Sequence, residues 1–118
     1  MRVHDMPPMP PLGEFEQLVL LSIARLGADA YGVTIVAELE RQAGRQVSRG
    51  ALYTTLDRLE SKGLVRWKVD AGAVRERGGL PRRCYIVSAR GVTALRASRR
   101  VLVRMWSGLE ALLEEPTS

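Results

Sequence analysis

Apolar residues recur at three- and four-residue steps along three successive stretches, then switch to alternation, then return to helical spacing. In "GEFEQLVLLSIARLG" the recurring positions are Phe15, Leu18, Val19, Ser22, Ile23 and Leu26. Glu14 and Glu16 fall in its first turn, where negative charge suits the helix dipole, and Gly27 supplies a stop. "ADAYGVTIVAELERQAG" predicts a second helix, capped by Asp29, carrying Val33, Val36, Ala37 and Leu39–Glu40, and ended by Gly44. "SRGALYTTLDRLESKG" predicts a third. Ser48 caps it, Leu52, Leu56 and Leu59 form its stripe, and Gly63 is the left-handed stop.

"LVRWKV" then alternates as a half-buried strand does, and "RCYIV" is the returning strand. Between them "DAGAVRERGGLPRR" is rich in glycine and arginine and carries a proline, so it reads as the loop of a β-hairpin. "SARGVTALRASRRVLVRMWSGLEALLEE" predicts one long helix capped by Ser88. Leu95, Leu102 and Leu109 are spaced by heptads, as are Met105 and Leu112, which makes a short seam for a second copy of the chain.

The expected fold is mainly α with a small β-hairpin: a winged helix-turn-helix followed by a long C-terminal helix. A three-helix core beside an unrelated hairpin would show the same pattern. Residues 1–12, opening with "MRVHDMPPMPP", read as a flexible arm, because prolines cannot continue a helix and no apolar segment marks a secretory signal. Residues 13–87 then form the winged unit and residues 88–118 the pairing helix.

With Leu52, Leu56 and Leu59 turned inward, Gly50, Tyr53, Thr54 and Asp57 point outward, and Arg49 stands at the margin near the start of the helix. The second helix of such a motif enters the DNA major groove by its N-terminal residues. Arg49 suits guanine or phosphate, Gly50 allows close backbone approach, and Tyr53 and Thr54 offer hydroxyls and apolar contact. On the wheel alone, an exposed aromatic and a solvated arginine explain this face equally well.

Charge favours the DNA reading. The 118 residues contain 18 Lys+Arg against 13 Asp+Glu, a net charge of +5, and a basic chain of this size suits a polyanionic partner. The loop after Trp67 holds Arg75, Arg77, Arg82 and Arg83 against Asp70 and Glu76, as a wing laid along phosphates requires.

Other classes fit less well. The only histidine, His4, lies in the arm, so a nucleophile–histidine pair has no rigid support. No glycine-rich phosphate loop follows a strand, and no cluster of metal ligands or cofactor motif exists. One cysteine, Cys84, precludes an internal disulfide, fits a reducing cytoplasm, and reads as packed on its strand more readily than as reactive. No apolar run approaches the roughly 20 residues of a membrane span. A winged-helix protein–protein module without DNA binding is the alternative from a different class; an acidic or apolar third-helix face and a neutral wing would mark it.

The segments "LGEFEQLVLLSIARLG", "AYGVTIVAELE", "VSRGALYTTLDRLESKGLV" and "RERGGLPRRCYIVSARG" resemble the PadR family of bacterial transcriptional regulators over nearly all of the chain after residue 12. "GALYTTLDRLESKGLV" is the most specific of them. A single terminal helix in place of a second domain resembles the short subfamily. The resemblance implies a homodimer made by the last helix, through Leu95, Leu102, Met105, Leu109 and Leu112, and repression at a palindromic operator. Carried over by position, it implies DNA contacts from Ser48, Gly50, Tyr53 and Thr54, from Tyr31 near the phosphates, and from Arg77, Arg82 and Arg83 in the wing. Where the family often has two adjacent aromatics, this chain has Cys84-Tyr85, and Ser88 stands where Thr is usual. Met105 and Trp106 lie beside the seam. Some PadR-like regulators bind planar compounds between their dimer helices, so the resemblance implies that a small aromatic effector can bind there, and interface packing is the plainer role for Trp106.

Overall fold

The computed structural model of the chain describes residues 11–70 and 81–114. Helix α1 (Glu14–Leu26) is capped by Gly13, whose N–H donates to the Glu16 carboxylate at 3.0 Å. Leu12, expected in the arm, is instead buried in the core. Gly27, with φ +58°, stops α1 and opens a 3₁₀ turn, Gly27–Asp29.

Helix α2 (Gly32–Ala43) starts two residues later than an Asp29 cap requires. Tyr31 is the N-cap residue, and its N–H donates to the Thr34 hydroxyl at 2.9 Å. That hydroxyl donates in turn to the Asp29 carbonyl, so Asp29 serves through its backbone. The inward face of α2 is also rotated from expectation. Ile35, Glu38 and Leu39 are buried, while Val33, Ala37 and Glu40 are exposed.

Helix α3 (Arg49–Ser61) follows its sequence signals closely. The Ser48 hydroxyl accepts from the Ala51 N–H at 3.1 Å, satisfying one of the unpaired donors of the first turn. Leu52, Leu56 and Leu59 are buried against α1 and α2. Gly63 at φ +75° reverses the chain, and the Leu64 N–H closes the end on the Leu59 carbonyl at 2.9 Å.

Strands β1 (Val65–Val69) and β2 (Arg83–Val87) pair antiparallel, with Trp67 opposite Tyr85 and Lys68 opposite Cys84. The other edge of β2 is anchored to the α1–α2 turn, because the Tyr85 N–H donates to the Ala30 carbonyl at 2.8 Å. The hairpin is therefore tied to the three-helix core by backbone as well as by packing. Cys84 is buried there, its thiol donating to the Ala28 carbonyl at 3.4 Å.

Helix α4 (Ala89–Trp106) is capped by Ser88. The Ser88 hydroxyl accepts from the Gly91 N–H at 3.0 Å and donates to the Gly63 carbonyl at 2.6 Å. The same serine thus starts α4 and fixes it beside the end of α3. The approach is close: a Cβ on Gly91 would lie 2.2 Å from the Leu64 carbonyl oxygen.

The single C-terminal helix expected over residues 88–118 is broken. Gly108 at φ +86° turns the chain after Trp106, and a short helix α5 (Glu110–Leu113) follows. Leu109 caps α5 and Leu112 lies within it, so the heptads of Leu95, Leu102 and Leu109 do not run on one helix. Leu95 is half-buried against the chain's own core. Residues 1–10, 71–80 and 115–118 lie outside the described residues, and Arg75 and Arg77 of the basic loop with them.

Two buried carboxylates brace the helices. Glu16 accepts from Lys62 at 2.8 Å, joining the start of α1 to the end of α3. Glu38, 3% exposed, accepts from Arg25 at 3.2 Å and from Arg41. Burial by itself would raise both carboxyls. The Lys62 and Gly13 donors at Glu16, and the Arg41 and Arg25 donors at Glu38, overcome it and hold both below the ordinary carboxylate value. The folded state therefore binds these protons less readily than the unfolded chain. The stability they contribute is complete above the ordinary value of 4.5 and is lost as pH falls through their lowered folded values. Melting temperatures measured from pH 7 down to about pH 3 are expected to decline steeply below about pH 4.5, and Glu16→Gln with Glu38→Gln is expected to make that decline shallower. An unchanged decline in the double variant would place the acid sensitivity elsewhere.

Candidate nucleic-acid interface

The exposed face of α3, the start of α2 and the root of the hairpin surround one cleft of about 400 Å³. Arg49 and Tyr53 line it from α3, Gly32 and Val33 from α2, and Arg82 and Arg83 from the hairpin. Three arginines from two separate segments thus converge beside a helix N-terminus, where unpaired N–H groups also favour an anion. Among the described residues, Asp57 supplies the one carboxylate of the lining.

Each expected contact has a definite place. Gly50 is exposed with open space around it, so the backbone there is approachable. Thr54 is exposed and its hydroxyl donates to the Gly50 carbonyl at 3.0 Å. The Ser48 hydroxyl is engaged as the α3 cap. Tyr53 is 37% exposed, its ring lying partly over the start of α2. Arg77 lies outside the described residues.

Tyr31 differs from expectation. It is only 7% exposed, and its hydroxyl donates to Asp70. The Arg82 guanidinium stacks on its ring, 3.6 Å from the centroid, and lies 3.9 Å from Asp70. The hydrogen bond to Asp70 first, and burial second, push the Tyr31 phenol above its ordinary value, so it stays protonated. Tyr31 therefore lies beneath the surface, as the post that holds Arg82 at the cleft. Its wanted partner, Asp70, is 39 residues away in sequence, which is why spacing alone did not reveal it. Arg83 stacks in the same way on Trp67 at 4.0 Å. Arg82 and Arg83 are thus each stacked on an aromatic face.

Sequence reasoning missed Asp70 and Gly32. Asp70 was visible only as a charge opposing the loop arginines. Gly32 was visible only as the partner of Tyr31 in a Tyr-Gly pair, without a turn to explain it.

A second surface lies on the C-terminal helices. Leu102 and Trp106 are each 51% exposed and Leu112 is 77% exposed, with Val101, Val103, Met105 and Leu109 exposed beside them. A groove of about 580 Å³ between α1 and α4 is lined by Leu21, Leu95, Leu102 and Trp106, with Arg96 and Arg99 at its side. Met105 is not among the residues that line this groove. Among the described residues, no helix is long and apolar enough to cross a membrane, and no group of three metal-ligating side chains is gathered.

A three-helix core whose third helix is exposed beside a basic two-stranded hairpin defines a DNA-binding winged helix-turn-helix. The model of the transcriptional regulator PadR-like family matches residues 19–97. Among solved structures, the chain is similar to a PadR family transcriptional regulator from Eggerthella lenta DSM 2243, at 30% identity and a TM-score of 0.61, over 87% of this chain and 88% of that one. A PadR family transcription regulator from Clostridium difficile R20291 shares the fold at 22% identity and a TM-score of 0.64, over 86% of this chain and 100% of that one. Pex from Synechococcus sp. strain PCC 7942 is similar at 25% identity and a TM-score of 0.52, over 86% and 98% of the two chains. A comparison with curated proteins found no match. The chain belongs to the PadR-like family of transcriptional regulators, and its function is the regulation of transcription through DNA, not catalysis.

Proposed function

We propose that the protein is a cytoplasmic repressor that binds a palindromic operator as a homodimer. The observation that carries this reading is the convergence of Arg49 and Tyr53 from α3 with Arg82 and Arg83 from the hairpin around one cleft. In this reading Arg49, Gly50, Tyr53 and Thr54 approach the major groove, Ser48 sets the start of that helix, and Arg82 and Arg83 lie on phosphates, with Tyr31 supporting Arg82. Arg77, outside the described residues, is proposed as a further phosphate contact on the strength of the sequence alone. One recognition helix per subunit in a two-fold dimer calls for half-sites about one helical turn apart, or a multiple of it. The exposed apolar side chains of α4 and α5 support the dimer, since a contiguous apolar surface of this kind marks an interaction site.

The groove bearing Trp106 supports a flat aromatic effector that enters between the paired helices and favours an arrangement unfit for DNA. An indole face and adjoining arginines suit an aromatic anion, with Met105 of the neighbouring surface adapting to ligand shape.

The test is fluorescence anisotropy with labelled DNA from upstream of the protein's own coding sequence, repeated across salt concentrations. Arg83→Ala is expected to weaken binding to all sequences alike and to lower the slope of log affinity against log salt by about 1 per lost phosphate contact. A changed base preference at an unchanged slope would mean that Arg83 reads bases. Planar aromatic compounds added to the same assay are expected to release the DNA from wild type and not from Trp106→Ala. Equal release from both would remove Trp106 from the effector reading.

A further inference from the structure

Gly32 opens α2 without a left-handed φ, so its backbone would accept any side chain. A glycine in a helix also loses more conformational freedom on folding than an alanine does. Local conformation therefore supplies no reason for glycine at this position. The reason lies across the helix boundary, where a Cβ on Gly32 would stand 2.3 Å from the Tyr53 hydroxyl oxygen and 3.0 Å from Cζ of the same ring. The first distance is far inside van der Waals contact and the second is tight. The obstructing atoms are the far end of one side chain, which can swing away, and not backbone.

We infer that Gly32 is a positioning residue for the DNA-binding face: its missing side chain lets the Tyr53 phenol lie over the start of α2, on the wall of the cleft and not across it. Tyr53, Gly32, Arg49 and Arg83 all line that cleft. A phenol displaced from Gly32 has the cleft to move into, between the α3 arginine and the hairpin arginines. Arg49 precedes Tyr53 by four residues on α3 and so shares its face, and it would be crowded in turn. The cost of filling Gly32 therefore falls on DNA binding and little of it on folding, because the displaced ring leaves the core residues Leu52, Leu56 and Leu59 in place.

This inference rests on the DNA-binding reading above, and its test separates the two. Wild type, Gly32→Ala, Tyr53→Phe and Gly32→Ala/Tyr53→Phe are compared by operator anisotropy and by thermal melting. Tyr53→Phe removes the atom of closest approach and leaves a ring edge that a small shift relieves. Gly32→Ala is expected to melt close to wild type and to lose about tenfold in operator affinity, and the double variant to bind within about threefold of Tyr53→Phe alone. A purely structural glycine would instead lower the melting point in proportion to the affinity loss, and that result overturns the inference. So does Gly32→Ala binding as well as wild type, or an affinity loss that Tyr53→Phe fails to relieve. If wild type itself shows no salt-dependent DNA binding, the DNA reading and this inference fall together. If wild type binds and only the Gly32→Ala pattern fails, this inference falls alone.

Discussion

Leu102→Glu combined with Trp106→Glu is expected to turn the proposed dimer into monomers at micromolar concentration and to lower operator affinity by at least about a hundredfold. Both side chains are half exposed on the single chain and belong to the apolar surface of α4. Burying a large apolar side chain contributes about 1.5–3 kcal/mol, and burying an unpaired carboxylate costs more than that gain. Two substitutions per subunit place four altered side chains in a two-fold dimer, so the association constant is expected to fall by about three powers of ten or more. Operator affinity follows, because each recognition helix loses the effective concentration that its linked partner supplied. Folding should be nearly untouched: exposed positions usually change stability by within about 0.5 kcal/mol, and Glu is a good helix former. Sedimentation equilibrium checks the assembly, and a double variant that still sediments as a dimer would move the interface off this surface.

Leu56→Ala is expected to destabilise the fold by about 2–5 kcal/mol, which for a domain of this size lowers the melting temperature by roughly 8–20 °C. Leu56 is 1% exposed in the middle of α3 and packs in the cluster that joins α1, α2 and α3. Truncation removes three carbons from that cluster and leaves a void that the backbones of three helices keep from closing. Asp57→Ala, one residue along on the exposed face, is the control and should shift stability by no more than about 0.5 kcal/mol. Calorimetry or a melting curve followed by circular dichroism reads both. Equal effects of the two substitutions would show that the inward face of α3 is misplaced.

The α3 face was legible because its signals are short-ranged. Ser48 reaches the Ala51 N–H three residues on, and Gly63 closes the end of the same helix. The two strands lie where alternation put them, with Ser88 capping the helix that follows. The C-terminal region misled for the opposite reason. The heptad pattern from Leu95 to Leu112 reads as one helix, although Gly108 falls within it. An apolar repeat records which residues seek burial. It does not record whether the backbone between them stays helical.

Tyr31 shows the same limit at the interface. Its place at the head of α2 was readable, and its burial was not, because the group that claims its hydroxyl lies at the end of β1. In the same way Gly91 is fixed by the Leu64 carbonyl and Gly32 by the Tyr53 ring, neither of them a neighbour in sequence. Composition, period and punctuation along the chain were enough for the order of helices and strands, the inward leucines of α3 and the basic character of the wing. Those features arise from interactions within about one helical turn and from the sign of the net charge. Which polar side chains reach the surface and which glycines must stay bare were decided by packing between distant segments, since steric exclusion and hydrogen-bond pairing act on whatever the fold brings within a few ångströms.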